Sequence, residues 1–203
     1  IKHLPETRLF TATVKFDGQS TTWFYYNGDV GVCSRNYRLD LEYDKDPTVR
    51  DQANDKFRQI NEKYDILNKL KAYGKNIAIQ GELYGMAINN NRHHRNDVEL
   101  AVFDVYDIDK RCYISHNRVN DLCFQFVIPM VDIVMFNNEP YENKPLISTE
   151  VEQWIELANA QRYKGSNKKE LQAEGIVVKT SDDKSPYISF KVISPEFLVK
   201  YNL

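Results

Sequence analysis

The tetrapeptide Lys15-Phe16-Asp17-Gly18 closes an apolar run and places a primary amine one residue ahead of an Asp-Gly turn. Such an amine attacks phosphorus only once its proton is gone. Free lysine has a pKa of about 10.4, so chemistry near neutral pH needs a site that lowers this value or takes the proton. The same four residues also fit an ordinary surface lysine before a turn, so the motif decides little without company. Carboxylates stand at Glu82 and Glu174, further lysines at Lys179 and Lys191, an arginine at Arg35 and a ring at Phe103. Alternation puts Glu82 on the strand face of Ala78, Gln80 and Tyr84, where its carboxylate can point into a cleft. Phe103 shares a face with Ala101 and Val105, a pattern that fits core packing as well as stacking. His93 and His94 adjoin in a polar loop, a setting that fits solvent exposure better than a metal site.

These residues need elements to hold them. Over 11–16, Ala12, Val14 and Phe16 alternate with Thr11, Thr13 and Lys15, as in a strand with one buried face, and Lys15 then points away from the core. Asp17-Gly18 and Asn27-Gly28 punctuate the β-rich runs 21–26 and 30–34, which reads as an antiparallel meander. The spacing of Phe57, Ile60, Tyr64, Leu67 and Leu70 predicts one amphipathic helix within 48–73. Strands are expected over 77–84 and 99–106, separated by the polar loop NNNRHHRND, where substrate contact or disorder belongs. A short helix over 117–124, a strand over 126–131, a helix over 148–160, strands over 175–180 and 187–193, and a last helical turn at Pro195 complete the pattern. On the final strand Lys191 faces the same way as Ser189, opposite Ile188, Phe190 and Val192. The whole reads as α+β, with antiparallel sheets and helices outside them.

Composition narrows the function. With 203 residues, 42% of them hydrophobic and 28% charged, the chain suits one compact folded domain. A formal net charge of -2 argues against coating nucleic acid with bulk positive charge, so any polyanion is met locally. The basic runs near 35–38, 63–75, 92–95 and 164–169 fit solvated faces as well as binding patches. Cys33, Cys112 and Cys123 lack metal-type spacing and are odd in number, which suits the cytoplasm or another reducing compartment. The apolar stretch 126–136 is interrupted by Pro129 and Asp132 and is too short to cross a bilayer, so no membrane segment is expected. The first residues carry neither a signal-peptide pattern nor an initiating Met, and the chain is expected to start inside a longer protein.

Six segments occur in a fixed order: KFDG at Lys15, SRN at Ser34, GELYG at Gly81, AVFDVYD at Ala101, EGIVVK at Glu174 and SFKVIS at Ser189. This set resembles the covalent nucleotidyltransferase superfamily of DNA ligases, RNA ligases and capping enzymes, and it spans nearly the whole chain. Ser20 stands where DNA ligases and capping enzymes commonly carry Arg, and with the SRN triplet this makes the chain look like an ATP-dependent RNA ligase.

The resemblance implies a role for each residue. Lys15 takes AMP from ATP as a phosphoramidate, and Asp17 and Gly18 complete its loop. Arg35 binds a phosphate of the nucleotide or of the RNA 5′ end, unless it forms a surface ion pair. Glu82 holds the ribose or a metal, Phe103 stacks on adenine, and Glu174 binds Mg²⁺ or Mn²⁺. Lys179 and Lys191 supply charge to the phosphates. The usual second lysine of the last motif is replaced, since Val192 and Ile193 follow Lys191, and Lys200 is a possible substitute. The expected substrate is RNA with a 5′-phosphate and a 3′-hydroxyl. Residues 1–203 read as the nucleotidyltransferase domain of a longer ligase whose accessory domain is missing. A DNA ligase, a capping guanylyltransferase and a catalytically silent RNA-binding module are the alternatives.

Overall fold

A computed structural model describes residues 9–41, 52–136, 139–140, 151–181 and 187–203. In chain order the elements are β1 (Phe10–Lys15), β2 (Gln19–Tyr26), β3 (Asp29–Cys33), β4 (Arg38–Leu39), α1 (Gln52–Tyr64), α2 (Ile66–Tyr73), β5 (Ile77–Gly85), β6 (Val98–Asp107), β7 (Cys112–Tyr113), α3 (His116–Phe126), β8 (Ile133–Phe136), β9 (Glu139–Pro140), α4 (Val151–Ala160), β10 (Arg162–Lys164), β11 (Glu170–Gln172), β12 (Gly175–Thr180), β13 (Ser189–Ile193) and α5 (Pro195–Tyr201). The ladders between these strands are antiparallel, and the α+β class expected from the sequence holds. The chain divides into two compact units, one of Ile1–Asp17 with Val131–Leu203 and one of Gly18–Met130.

The first unit is built on a five-stranded sheet in the order β13-β12-β1-β8-β9, beside the β10-β11 hairpin. Phe10, Ala12, Met135, Trp154, Ala158, Ile176, Val178 and Val192 form its core, with Trp154 edge-on to Phe190 at 5.7 Å. Alternation in β1 predicts one buried face, yet Thr11 and Thr13 are as buried as Ala12. They are short side chains flanked by Lys179 and Val177 of β12, with Ile133 of β8 also beside Thr13. Gly175 has φ +149°, and a Cβ there would lie 2.0 Å from the carbonyl oxygen of Val192. Gly175→Ala is therefore expected to destabilise the chain by about 2–4 kcal/mol through backbone strain and overpacking. Urea unfolding measures this, and an unchanged midpoint would show that the β12–β13 ladder yields freely.

The second unit carries a six-stranded sheet in the order β4-β3-β2-β5-β6-β7. Its apolar face packs against α1, α2 and α3 through Trp23, Phe57, Ile60, Ile66, Leu70, Ile79, Leu100, Val105 and Leu122. The single helix expected within 48–73 is two: Asp65, at φ 51° and ψ 42°, breaks it, and residues 48–51 lie outside the described ones. Aspartate tolerates this left-handed conformation better than most residues. The side chain of Asn61 accepts the Leu67 N–H at 3.0 Å, satisfying a donor near the break. After the break Ile66, not Leu67, is fully buried.

Residues 126–131 are not the expected strand. Phe126 ends α3, Val127 caps it in the left-handed conformation, and Met130 makes only an isolated bridge to Val102. A short apolar run cannot by itself distinguish a strand from a buried helix end. The expected helix over 148–160 is described as α4, with residues 148–150 outside the described ones. Strands β4, β7, β8, β9, β10 and β11 fall outside the expected strands.

All three cysteines are free. Burial pushes the Cys123 thiol up to about 12 and raises that of Cys33, while Cys112 is exposed. Because the thiolate is the reactive form, a thiol reagent is expected to label Cys112 first and Cys123 only on unfolding. Peptide mapping after a timed pulse reads the order, and early labelling of Cys123 would contradict this packing.

Candidate active site

In the first unit the register brings three lysines to one sheet face. Lys15 lies opposite Gly175, Val177 opposite Thr13 and Lys191, and Lys179 opposite Thr11 and Ser189. Residues directly opposed across a ladder share a face. Lys15, Lys179 and Lys191 therefore stand on the side away from Ala12, Ile176, Val178 and Val192, as the alternation in β1 and β13 predicts. Lys191 is exposed, and Lys15 and Lys179 are half-buried.

The amine of Lys15 donates to the carboxylate of Glu174, 159 residues later in the chain. Each of these side chains keeps 18% of its surface open to solvent, so the pair is shielded yet reachable. Glu174 immediately precedes Gly175, and its carbonyl accepts the Ser194 N–H at 2.9 Å. Ser194 is fully buried. Its hydroxyl donates to Asn159 Oδ1 at 2.6 Å and accepts from the Phe197 N–H at 3.2 Å, while Gln172 Nε2 reaches it at 3.3 Å and the Asn159 carbonyl at 3.0 Å. This buried network joins β11, α4 and the start of α5 behind Glu174. Sequence reasoning missed it, although Ser194-Pro195 is a helix-start signal.

Next along the chain, Phe16 stacks on Tyr163 at 6.1 Å and Asp17 is buried. At the position after Lys191 and Val192, Ile193 pairs with Gly175. Lys200 lies on α5 with its ammonium 5.1 Å from the Tyr201 ring.

In the second unit Glu82 pairs with Ser20 and Ala101, and Gln80 with Thr22 and Asp104, so these polar side chains line the face opposite the core. Gly18 packs tightly against β5: a Cβ would lie 2.2 Å from the Leu83 carbonyl oxygen and 2.7 Å from Glu82 Cγ. Asn89 Nδ2 donates to the Gly18 carbonyl at 3.2 Å.

The register of β5 with β6 shifts between Gln80 and Gly81, which pair with Asp104 and Val102. Phe103 is the extra residue of this bulge. The expectation that Phe103 shares a face with Val105 is thereby corrected, because Val105 pairs with Ile79 and joins the core, as do Leu100 and Val102. Phe103 stays outside that cluster and is half-buried.

Ala87, Asn89, Asn90, Asn91 and His94 all have positive φ, and Asn91 exchanges two hydrogen bonds with the backbone of Arg95, at 2.8 and 2.9 Å. His93 is 1% exposed and its ring lies tilted against that of Tyr84 at 4.7 Å, which corrects the expected solvent exposure; His94 is exposed. Packing against an aromatic ring holds the imidazole inside, a contact that a polar sequence context does not announce. Arg35 is exposed in the β3–β4 turn and makes no ion pair among the described residues.

Among the described residues no group of three or more His, Cys, Asp or Glu side chains gathers to hold a metal, and no helix is long and apolar enough to cross a membrane. A single carboxylate such as Glu174 still suits Mg²⁺ or Mn²⁺, which take one or two carboxylates and complete their shell with phosphate oxygens and water.

No match was found among curated protein sequences. Solved structures of an RNA ligase from Naegleria gruberi are similar: one of an arginine-to-alanine mutant with ATP and Mn has a TM-score of 0.76 and 28% identity over 97% of this chain and 53% of that one. A second, with PPi, has a TM-score of 0.74 and 28% identity over 96% of this chain and 52% of that one. The chain thus spans about half the length of the ligase chains it matches. The RNA ligase family model matches residues 8–193, and the chain belongs to that family.

Proposed function

We propose that the protein is an ATP-dependent RNA ligase whose first step charges Lys15 with AMP. The observation that carries this reading is the Lys15–Glu174 contact on a sheet face that also bears Lys179 and Lys191. Lys15 must lose a proton before it attacks, and Glu174 is in contact to accept it. Nζ then bonds to the α-phosphorus of ATP and the bond to the bridging oxygen breaks, releasing pyrophosphate. Lys179 and Lys191 balance the negative charge that gathers on the phosphate oxygens. In the second step an oxygen of the RNA 5′-phosphate displaces Lys15 from the AMP phosphorus. In the third, a 3′-hydroxyl attacks the 5′-phosphate, AMP leaves and the strand is sealed.

A divalent ion would be held by Glu174 together with phosphate oxygens, and when bound it supplies charge neutralisation. Glu82 and Phe103 are read as ribose and adenine contacts, and Arg35 as a phosphate contact. The family membership and the Naegleria ligase structures with ATP and Mn support this choice of nucleotide and ion.

Incubation with labelled ATP or GTP tests the first step, and nicked RNA against nicked DNA tests the acceptor. Label from GTP would favour a capping activity, sealing of DNA alone a DNA ligase, and RNA binding without label a silent module. Labelling and sealing are separate readouts, so an inactive sealing step does not obscure the first.

A further inference from the structure

The turn between β3 and β4 has an unusual construction. Cys33 pairs with Arg38, leaving Ser34 and Tyr37 as the closing pair and Arg35 and Asn36 at the tip. Two-residue hairpin turns generally need positive φ at a central residue. Arg35 and Asn36 both keep negative φ. Ser34 closes the turn instead: its N–H donates to the Tyr37 carbonyl at 2.9 Å, and its hydroxyl accepts the Tyr37 N–H at 3.3 Å. The backbone that displays Arg35, Asn36 and Tyr37 is thus fixed by local bonds.

Tyr37 has 73% of its surface exposed and makes no ring or cation contact among the described residues. Most of its surface is therefore left out of the packing. Two positions away, Arg35 is also exposed and has no ion-pair partner among the described residues. Two residues of chain span at most about 7 Å, the scale of one nucleotide from phosphate to base. Guanidinium binds phosphate oxygens through forked donors, and an open phenol ring offers a flat face to an unstacked base of any type. Asn36, between them, has donors and an acceptor for a base edge.

We propose that Tyr37 is a stacking platform for an RNA base adjoining the phosphate held by Arg35. This rests on the ligase reading and names a further contact for its RNA substrate. The test uses the 203-residue chain, a 5′-phosphorylated RNA oligonucleotide with 2-aminopurine as its first base, and Tyr37→Phe and Tyr37→Ala variants checked for folding by circular dichroism. The parent chain and Tyr37→Phe should bind the probe and quench its fluorescence. Tyr37→Ala should lose the quenching and bind on the order of 10-fold more weakly. Equal quenching and affinity in Tyr37→Ala would overturn the stacking role and leave the ligase reading intact. A parent chain that takes no AMP label from ATP would overturn both.

Discussion

Lys15→Ala and Lys15→Arg are both expected to take up no AMP when incubated with labelled ATP and a divalent ion, a loss of at least about 10⁴-fold such as follows removal of a covalent nucleophile. The two variants ask different questions. Alanine removes the nucleophile and the charge, whereas arginine keeps a cation at the strand end but offers no amine that can be deprotonated. If the cation alone mattered, arginine would rescue. Intact-mass spectrometry reads the adduct directly, and label retained by either variant would move the nucleophile to another residue. Lys15 is half-buried at the end of β1 and its partner is partly open to water, so neither variant should unfold the sheet.

Glu174→Gln should reduce the rate of labelling by about 10²–10³-fold, within the range that positioned proton acceptors contribute. Glutamine preserves the size of the side chain, so β12 keeps its register, but it cannot accept the ammonium proton. In that variant the proton has to leave to solvent. Glu174→Asp, with a shorter reach, should fall between the two. Single-turnover labelling measures both variants, and a glutamine variant with the parent's rate would remove Glu174 from proton transfer.

Much of this site is legible from residue order, because a β-strand exposes its faces by simple alternation. Lys15 opposite a core of Ala12 and Val14, and Lys191 opposite Val192, follow from that rule. The closeness of Lys15 to Glu174 does not, since it depends on the pairing of β1 with β12 and no local pattern encodes a partner 159 residues away. Periodicity also fails where one residue changes phase without changing polarity. Asp65 divides a helix whose apolar spacing runs on through the break, and the extra residue Phe103 leaves a sequence that still looks like an unbroken strand. A trace of the bulge is visible: the strand's members of the apolar core fall at 98, 100 and 102 and then at 105, a step of three. The merging of α3, the segment after it and β8 into one apolar stretch hid a helix end and a strand start. His93 escaped for the reason that its partner, Tyr84, belongs to a neighbouring strand.

The extra residue in β6 has a consequence for how the gene can change length. Even-numbered positions serve the core before Phe103 and an odd one, Val105, serves it afterwards. Removing one codon between 98 and 102 would bring charged Glu99 or a neighbour into the apolar layer, or force the strand to slide along β5 and shift Ala101 from its place beside Glu82. The loop over 86–97 offers no easy compensation, because its run of left-handed residues is tied at Asn91 and Arg95. Homologous chains should therefore vary in composition through this stretch while holding its residue count constant.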